Sequence, residues 1–177
     1  AQRRRALAQM RFLLALSLLA ALPVKSSEAW EAFFSPFLGD LRAELDEAKR
    51  SGRKGVMVMY HFEACPYCQR MKDEVLLRKD VQEGYRRDFV ALAIDTRGAQ
   101  PITGLDGRAL PEGAFAREQK IRATPTFDFF DPDGERLYRH VGGIFDPAEF
   151  LLLGRYVASG AHRAQSFTAY KQKHKGT

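Results

Sequence analysis

The stretch Val56-Met57-Val58-Met59-Tyr60-His61-Phe62-Glu63-Ala64-Cys65-Pro66-Tyr67-Cys68-Gln69-Arg70-Met71 decides the fold. An apolar run of strand length stops at a short polar turn, and the turn delivers both cysteines of the chain onto the first turn of a helix. A helix start leaves backbone N–H groups free and carries the positive end of the peptide dipole, which lowers a thiol pKa toward the physiological range. Pro66 suits the first helical position, where its missing N–H costs nothing. Zinc normally takes four protein ligands. With one Cys pair, and with His61, His140, His162 and His174 lacking ligand spacing, no metal is called for. A purely structural bridge between such near neighbours would close a very short loop and constrain the unfolded chain little. Disulfide exchange is the chemistry these residue types at this spacing support best.

Upstream, Arg3, Arg4, Arg5 and Arg11 precede an apolar run over 12–22, short for a bilayer span but of signal-peptide length. Ser27 and Ala29 place cleavage before Trp30, so 1–29 reads as a signal peptide, with an uncleaved membrane anchor as the alternative. Met10 would open a more compact leader that excludes residues 1–9. Either way the domain is expected outside the cytoplasm. The formal charge of +6 sits largely in this leader, since residues 30–177 keep 23 Lys and Arg against 21 Asp and Glu, or +2. A nucleic-acid partner loses its support. What remains is one domain's worth of chain, and an exported domain whose two cysteines share one C-x-x-C uses them for chemistry rather than as scaffold.

Along 30–53 the positions Phe37, Leu38, Leu41, Leu45 and Ala48 follow helical spacing and predict one amphipathic helix that ends at Ser51-Gly52. Residues 56–60 form the first strand, and Met71, Val75 and Leu76 give the C-x-x-C helix an apolar face. Asp80 is expected to cap a short helix. The run 89–94 has the continuous apolar character of a central strand covered on both faces. Residues 95–111, rich in glycine with an Asp106-Gly107 turn signal, predict a loop with a small hairpin over 102–110. Because it follows a strand's C-terminal end and holds no group suited to thiol chemistry, it is expected to select the partner. A helix over 112–120 leads into Thr124-Pro125. A hairpin of 126–130 and 136–141 follows, and then a helix capped by Asp146 with Pro147 in its first position. The tail 161–177 is basic and reads as a loosely docked, partly helical segment.

Strand, C-x-x-C and helix, followed by Ile121-Arg122-Ala123-Thr124-Pro125-Thr126-Phe127, resemble the thioredoxin superfamily. The resemblance implies an α/β thioredoxin fold over 30–160, with a central mixed β-sheet flanked by helices on both faces. It also implies a cis Thr124-Pro125 peptide facing the disulfide. Cys65, at the exposed end of the turn, is then the nucleophile, and the more buried Cys68 resolves the mixed disulfide. Pro66 and Tyr67 complete the active-site motif and tune its potential. Thr124 offers its backbone to the substrate chain, and Pro125 blocks close approach to the thiolate. Two positions depart from thioredoxin. Met59 stands where that family buries an Asp, leaving His61 or Glu63 as candidate substitutes, and Ala64 stands where it carries a Trp.

Phe62-Glu63-Ala64-Cys65-Pro66-Tyr67-Cys68, Thr124-Pro125-Thr126-Phe127 and Phe129-Phe130-Asp131-Pro132-Asp133-Gly134 resemble most nearly the periplasmic proteins of the SoxW type. That likeness implies a monomeric periplasmic reductase without a bound cofactor. Its protein substrates would be of the sulfur-oxidation carrier or apocytochrome kind, and a membrane electron donor of the DsbD or CcdA kind would recharge it. An oxidant of the DsbA kind and a non-catalytic binding module with an inert disulfide are the alternatives.

Overall fold

In chain order the elements are α1 (Leu41–Arg50), β1 (Gly55–His61), α2 (Pro66–Met71), α3 (Lys79–Asp88), β2 (Phe89–Asp95), β3 (Pro101–Thr103), β4 (Ala109–Pro111), α4 (Glu112–Glu118), β5 (Thr126–Phe130), β6 (Arg136–Val141), α5 (Pro147–Ala158) and α6 (Phe167–Lys173). The computed structural model describes residues 30–174. The signal-peptide or anchor reading of 1–29 therefore lies outside the described residues, as do 175–177.

β1 is the axis of a four-stranded sheet of order β2-β1-β5-β6, parallel to β2 and antiparallel to β5. This is a thioredoxin fold with a mixed sheet flanked by helices on both faces. Alternation along β1 feeds two separate cores. Met57 and Met59 face an aromatic-rich layer under α2, α3, α5 and α6, with Tyr85, Phe127, Phe129, Phe150 and Tyr156 at its centre. Val56, Val58 and Tyr60 face an aliphatic layer under α1 and α4. Each such side chain buried contributes about 1.5–3 kcal/mol by transfer from water. Gly55 opens the strand at φ +149°, and a Cβ there would collide with the Phe130 carbonyl oxygen. Only glycine lets β1 begin this close to β5.

Four expectations are corrected by the tertiary structure. Residues 30–53 are not one helix: a single 3₁₀ turn, Glu31–Phe33, precedes an irregular stretch, and α1 starts at Leu41 with Asp40 as its cap. Leu38, at helical spacing in the sequence, is 96% exposed. Asp80 does not cap α3. Arg78 holds the cap position, and Asp80, inside the first turn, pairs with its guanidinium at 3.0 Å. β2 lies at the edge of the sheet rather than its centre. It is buried nonetheless, because helices pack on both its faces and the N-terminal segment crosses its free edge, where Ser35 donates its N–H to the Ala91 carbonyl at 2.8 Å. Finally, α6 is docked rather than loose. Phe167 and Tyr170 enter the aromatic core, and Lys171 pairs with Glu149 on α5 at 2.6 Å.

β3 and β4 form the anticipated hairpin, with Ile102 opposite Leu110. It is more than a surface loop. Ile102 is buried in the aliphatic core, and Thr103 donates its N–H to the Gly39 carbonyl, which ties the hairpin to the start of α1.

Candidate active site

Three strand ends meet at one edge of the sheet. β1 runs out at His61, β5 begins there directly after Thr124 and Pro125, and β6 ends there before Gly142. The turn after β1 closes when Cys65 donates its N–H to the Phe62 carbonyl at 3.2 Å. Cys65 itself is extended (φ −91°, ψ 105°) and forms the N-cap of α2, with Pro66 in the first helical position. Its Sγ accepts the Cys68 N–H at 3.2 Å, the bond a Ser or Asp oxygen makes at an ordinary cap. Cys65 and Cys68 are joined as a disulfide, their Cα atoms 5.2 Å apart.

The β5 loop completes the site from 59 residues away in sequence. Thr124 Oγ1 lies 3.3 Å from Cys65 Sγ and donates to it. The Thr124–Pro125 peptide is cis. The loop is held from both sides: the Pro125 carbonyl accepts the Gly142 N–H at 2.9 Å, and the Thr126 hydroxyl donates to the Ala123 carbonyl at 2.7 Å. Two donors from different elements therefore converge on Cys65 Sγ. None of the described residues offers a comparable donor to Cys68 Sγ. Donors of this kind favour the charged form of a sulfur and would hold down the pKa of a thiol at Cys65.

The expected contrast of an exposed Cys65 and a buried Cys68 is not what the fold builds. Cys65 is 3% exposed and Cys68 1%. In this oxidised form each sulfur covers the other, and the Thr124 hydroxyl sits on the first. The difference between the two cysteines lies in hydrogen bonding rather than in access. Within the motif, Pro66 is exposed and Tyr67 is 62% exposed.

Beneath the pair, Met59 is fully buried in the aromatic core. Of the two candidate substitutes for a buried carboxylate, Glu63 is exposed, whereas His61 is half-buried with its Nδ1 shielded and unpartnered. Burial pushes the His61 pKa down, the nearby Lys72 ammonium pushes it further, and Asp95 opposes them. Lys72 is 8% exposed with its Nζ 4.0 Å over the Trp30 ring, and its own pKa is lowered chiefly by burial. The buried carboxylate of this domain is elsewhere. Asp128 on β5 is fully buried on the aliphatic face, where it binds the guanidinium of its cross-strand neighbour Arg139 through Nε at 2.6 Å and Nη2 at 2.5 Å. The sequence reading assigned it no role. Its signal was there, as a charged residue in the inward register of an otherwise apolar strand.

A family model for the thioredoxin-like domain matches residues 41–158. The chain belongs to that family. A thioredoxin from Thermus thermophilus is similar to this thioredoxin-like domain at 34% identity and TM-score 0.52, over 70% of this chain and 88% of that one. A thioredoxin-fold protein from Helicobacter pylori superposes with TM-score 0.67 at 17% identity, over 86% of this chain and 99% of that one. Mouse anterior gradient protein 3 is 32% identical over 66 residues, which are 37% of this chain and 40% of that protein. The chain thus spans less than half the length of this curated relative. Among the described residues of the thioredoxin-like domain, no helix is long and apolar enough to cross a membrane.

Proposed function

We propose that this domain is an exported thiol:disulfide oxidoreductase of the periplasm, acting on protein disulfides as a reductase. The observation that supports it most is the convergence of the Cys68 N–H and the Thr124 hydroxyl on Cys65 Sγ. In the reduced protein the Cys65 thiolate attacks a substrate disulfide. One substrate sulfur leaves as a thiolate, and Cys65 is held in a mixed disulfide. The Cys68 thiolate then attacks Cys65 Sγ, releasing the second substrate thiolate and re-forming the internal disulfide, so that two electrons pass from the dithiol to the substrate. Thr124 and Pro125 form the wall against which the substrate chain lies, with Pro66 and Tyr67 on the opposite side. A dithiol donor, of the membrane kind named above, restores the reduced form.

Likeness to the Thermus thermophilus thioredoxin supports the reducing direction. Among reductases, the SoxW-type assignment rests on the motif segments that carry the resemblance. The test is equilibration with glutathione buffers, followed by trapping of the cysteines. A reductase has a potential well below that of the glutathione pool of an oxidising compartment. A potential above it would reassign the domain as an oxidant, and a Cys65 that resists alkylation at neutral pH would leave only a binding module.

A further inference from the structure

Two arginine-capped aromatic groups flank the Cys65 turn, and of their rings only Tyr67 belongs to the active-site motif. On the β6 side the rings of Tyr67 and Phe145 stack with centroids 6.3 Å apart, and the Arg70 guanidinium lies 4.0 Å over Phe145. Gly143 makes room for this stack, since a Cβ there would meet the Phe145 ring at 2.5 Å. On the β2 side, Arg97 lies 3.8 Å over the ring of Phe62. Arg122, also exposed, stands two residues before Thr124.

The charges are unevenly satisfied. Arg70 already pairs with Glu74 at 2.9 Å. No described carboxylate lies within ion-pair distance of Arg97 or Arg122, and Asp95 Oδ1 is taken by the backbone N–H of Arg97 at 2.8 Å. Around this aromatic platform the two unpaired guanidinium groups of Arg97 and Arg122 outnumber the one exposed carboxylate of the turn, Glu63, which suits an occupant that has an apolar centre and an acidic border. We propose that this surface selects extended segments of a partner protein in which a bulky apolar residue adjoins the reacting cysteine and Asp or Glu flank it. The apolar residue seats on Tyr67 and Phe145, and the carboxylates pair with Arg97 and Arg122. This selection rests on the exchange reaction proposed above.

The test uses two short synthetic peptides in which Leu adjoins a Ser standing in for the cysteine. One is flanked by Asp and Glu, the other by Lys. Each is titrated against the oxidised full chain at low and at high salt. The acidic peptide should bind about tenfold more tightly at low salt, and salt should erode that advantage. In the double variant Arg97→Gln, Arg122→Gln the ratio should fall to about one, while Phe145→Ser should weaken both peptides alike. Equal binding by the wild type, or an acidic preference that survives in the double variant, overturns the proposal. Because the peptides carry no cysteine, a chain that binds them selectively but cannot reduce a disulfide would refute the reaction and leave the surface standing.

Discussion

Two helices of this domain start in the same way and do different work. α5 begins at Asp146-Pro147 and α2 at Cys65-Pro66. Each has an extended N-cap residue, a proline in the first helical position, and a cap side chain that accepts a backbone N–H. At α5 the acceptor is a carboxylate, bonded by the Ala148 N–H at 2.8 Å and the Glu149 N–H at 3.4 Å. At α2 it is a sulfur, and the Thr124 hydroxyl adds a donor from outside the helix. Capping energy that stabilises a fold when the acceptor is a carboxylate oxygen favours a chemical state when the acceptor is a sulfur that exchanges its bonding partner.

The sharpest way to break this comparison is Cys65→Ser. Serine caps well, so the variant should keep the stability of the reduced wild type in urea while losing disulfide exchange entirely. Cys68→Ser should instead accumulate mixed disulfides. If Cys65→Ser traps partners and Cys68→Ser does not, the two roles are reversed. The next effect is that of the outside donor. Thr124→Val removes a hydrogen bond to a group that becomes charged, and should raise the Cys65 pKa by about one unit, read from alkylation rate against pH. An unchanged profile would mean the helix alone sets the thiol. At α5, Asp146→Ala should cost about 1 kcal/mol of stability in urea and leave that alkylation profile where it was.

The smallest effect separates what precedes the two helices. β1 enters α2 through His61, whose pKa is lowered by burial, as are those of His140 and His162 elsewhere. A histidine with a depressed folded pKa binds a proton more readily in the unfolded chain. Stability therefore rises with pH, and is lost as pH falls below the ordinary histidine range, by at most about 1.4 kcal/mol per unit for each such group. His61→Phe should flatten its share of that slope between about pH 5 and 7. A slope identical in wild type and variant would show that His61 titrates normally.

Much of the site could be read directly from residue types. The apolar run into Cys65, the cap at Asp146-Pro147 and the 126–141 hairpin with its Asp133-Gly134 turn all follow from local rules, and the chain folds as those rules say. The misreadings share a cause. Leu38 matched a helical period but meets solvent, because Gly39 at φ +87° turns the chain before α1 can begin. Residues 89–94 looked central because they are apolar on both faces, yet the covering at the edge is supplied by the segment around Ser35. Asp80 was a fair cap candidate by type, but it lies two residues past the position that the turn after Leu76 leaves open.

By itself the sequence determined the alternation that sends Met57 and Met59 to one core and Val56, Val58 and Tyr60 to the other. It also placed the two thiols at a helix start. These are properties of short stretches, where a period of two or a cap position is fixed by the neighbours along the chain. The family resemblance set Thr124-Pro125 against the disulfide, but only the tertiary structure decided which atoms touch those thiols. Thr124 reaches Cys65 Sγ because β5 pairs antiparallel with β1 and starts where β1 ends, and Phe145 reaches Tyr67 because β6 then returns to the same edge. The spacing between such residues is set by strand register, a long-range pairing energy that no window of sequence contains.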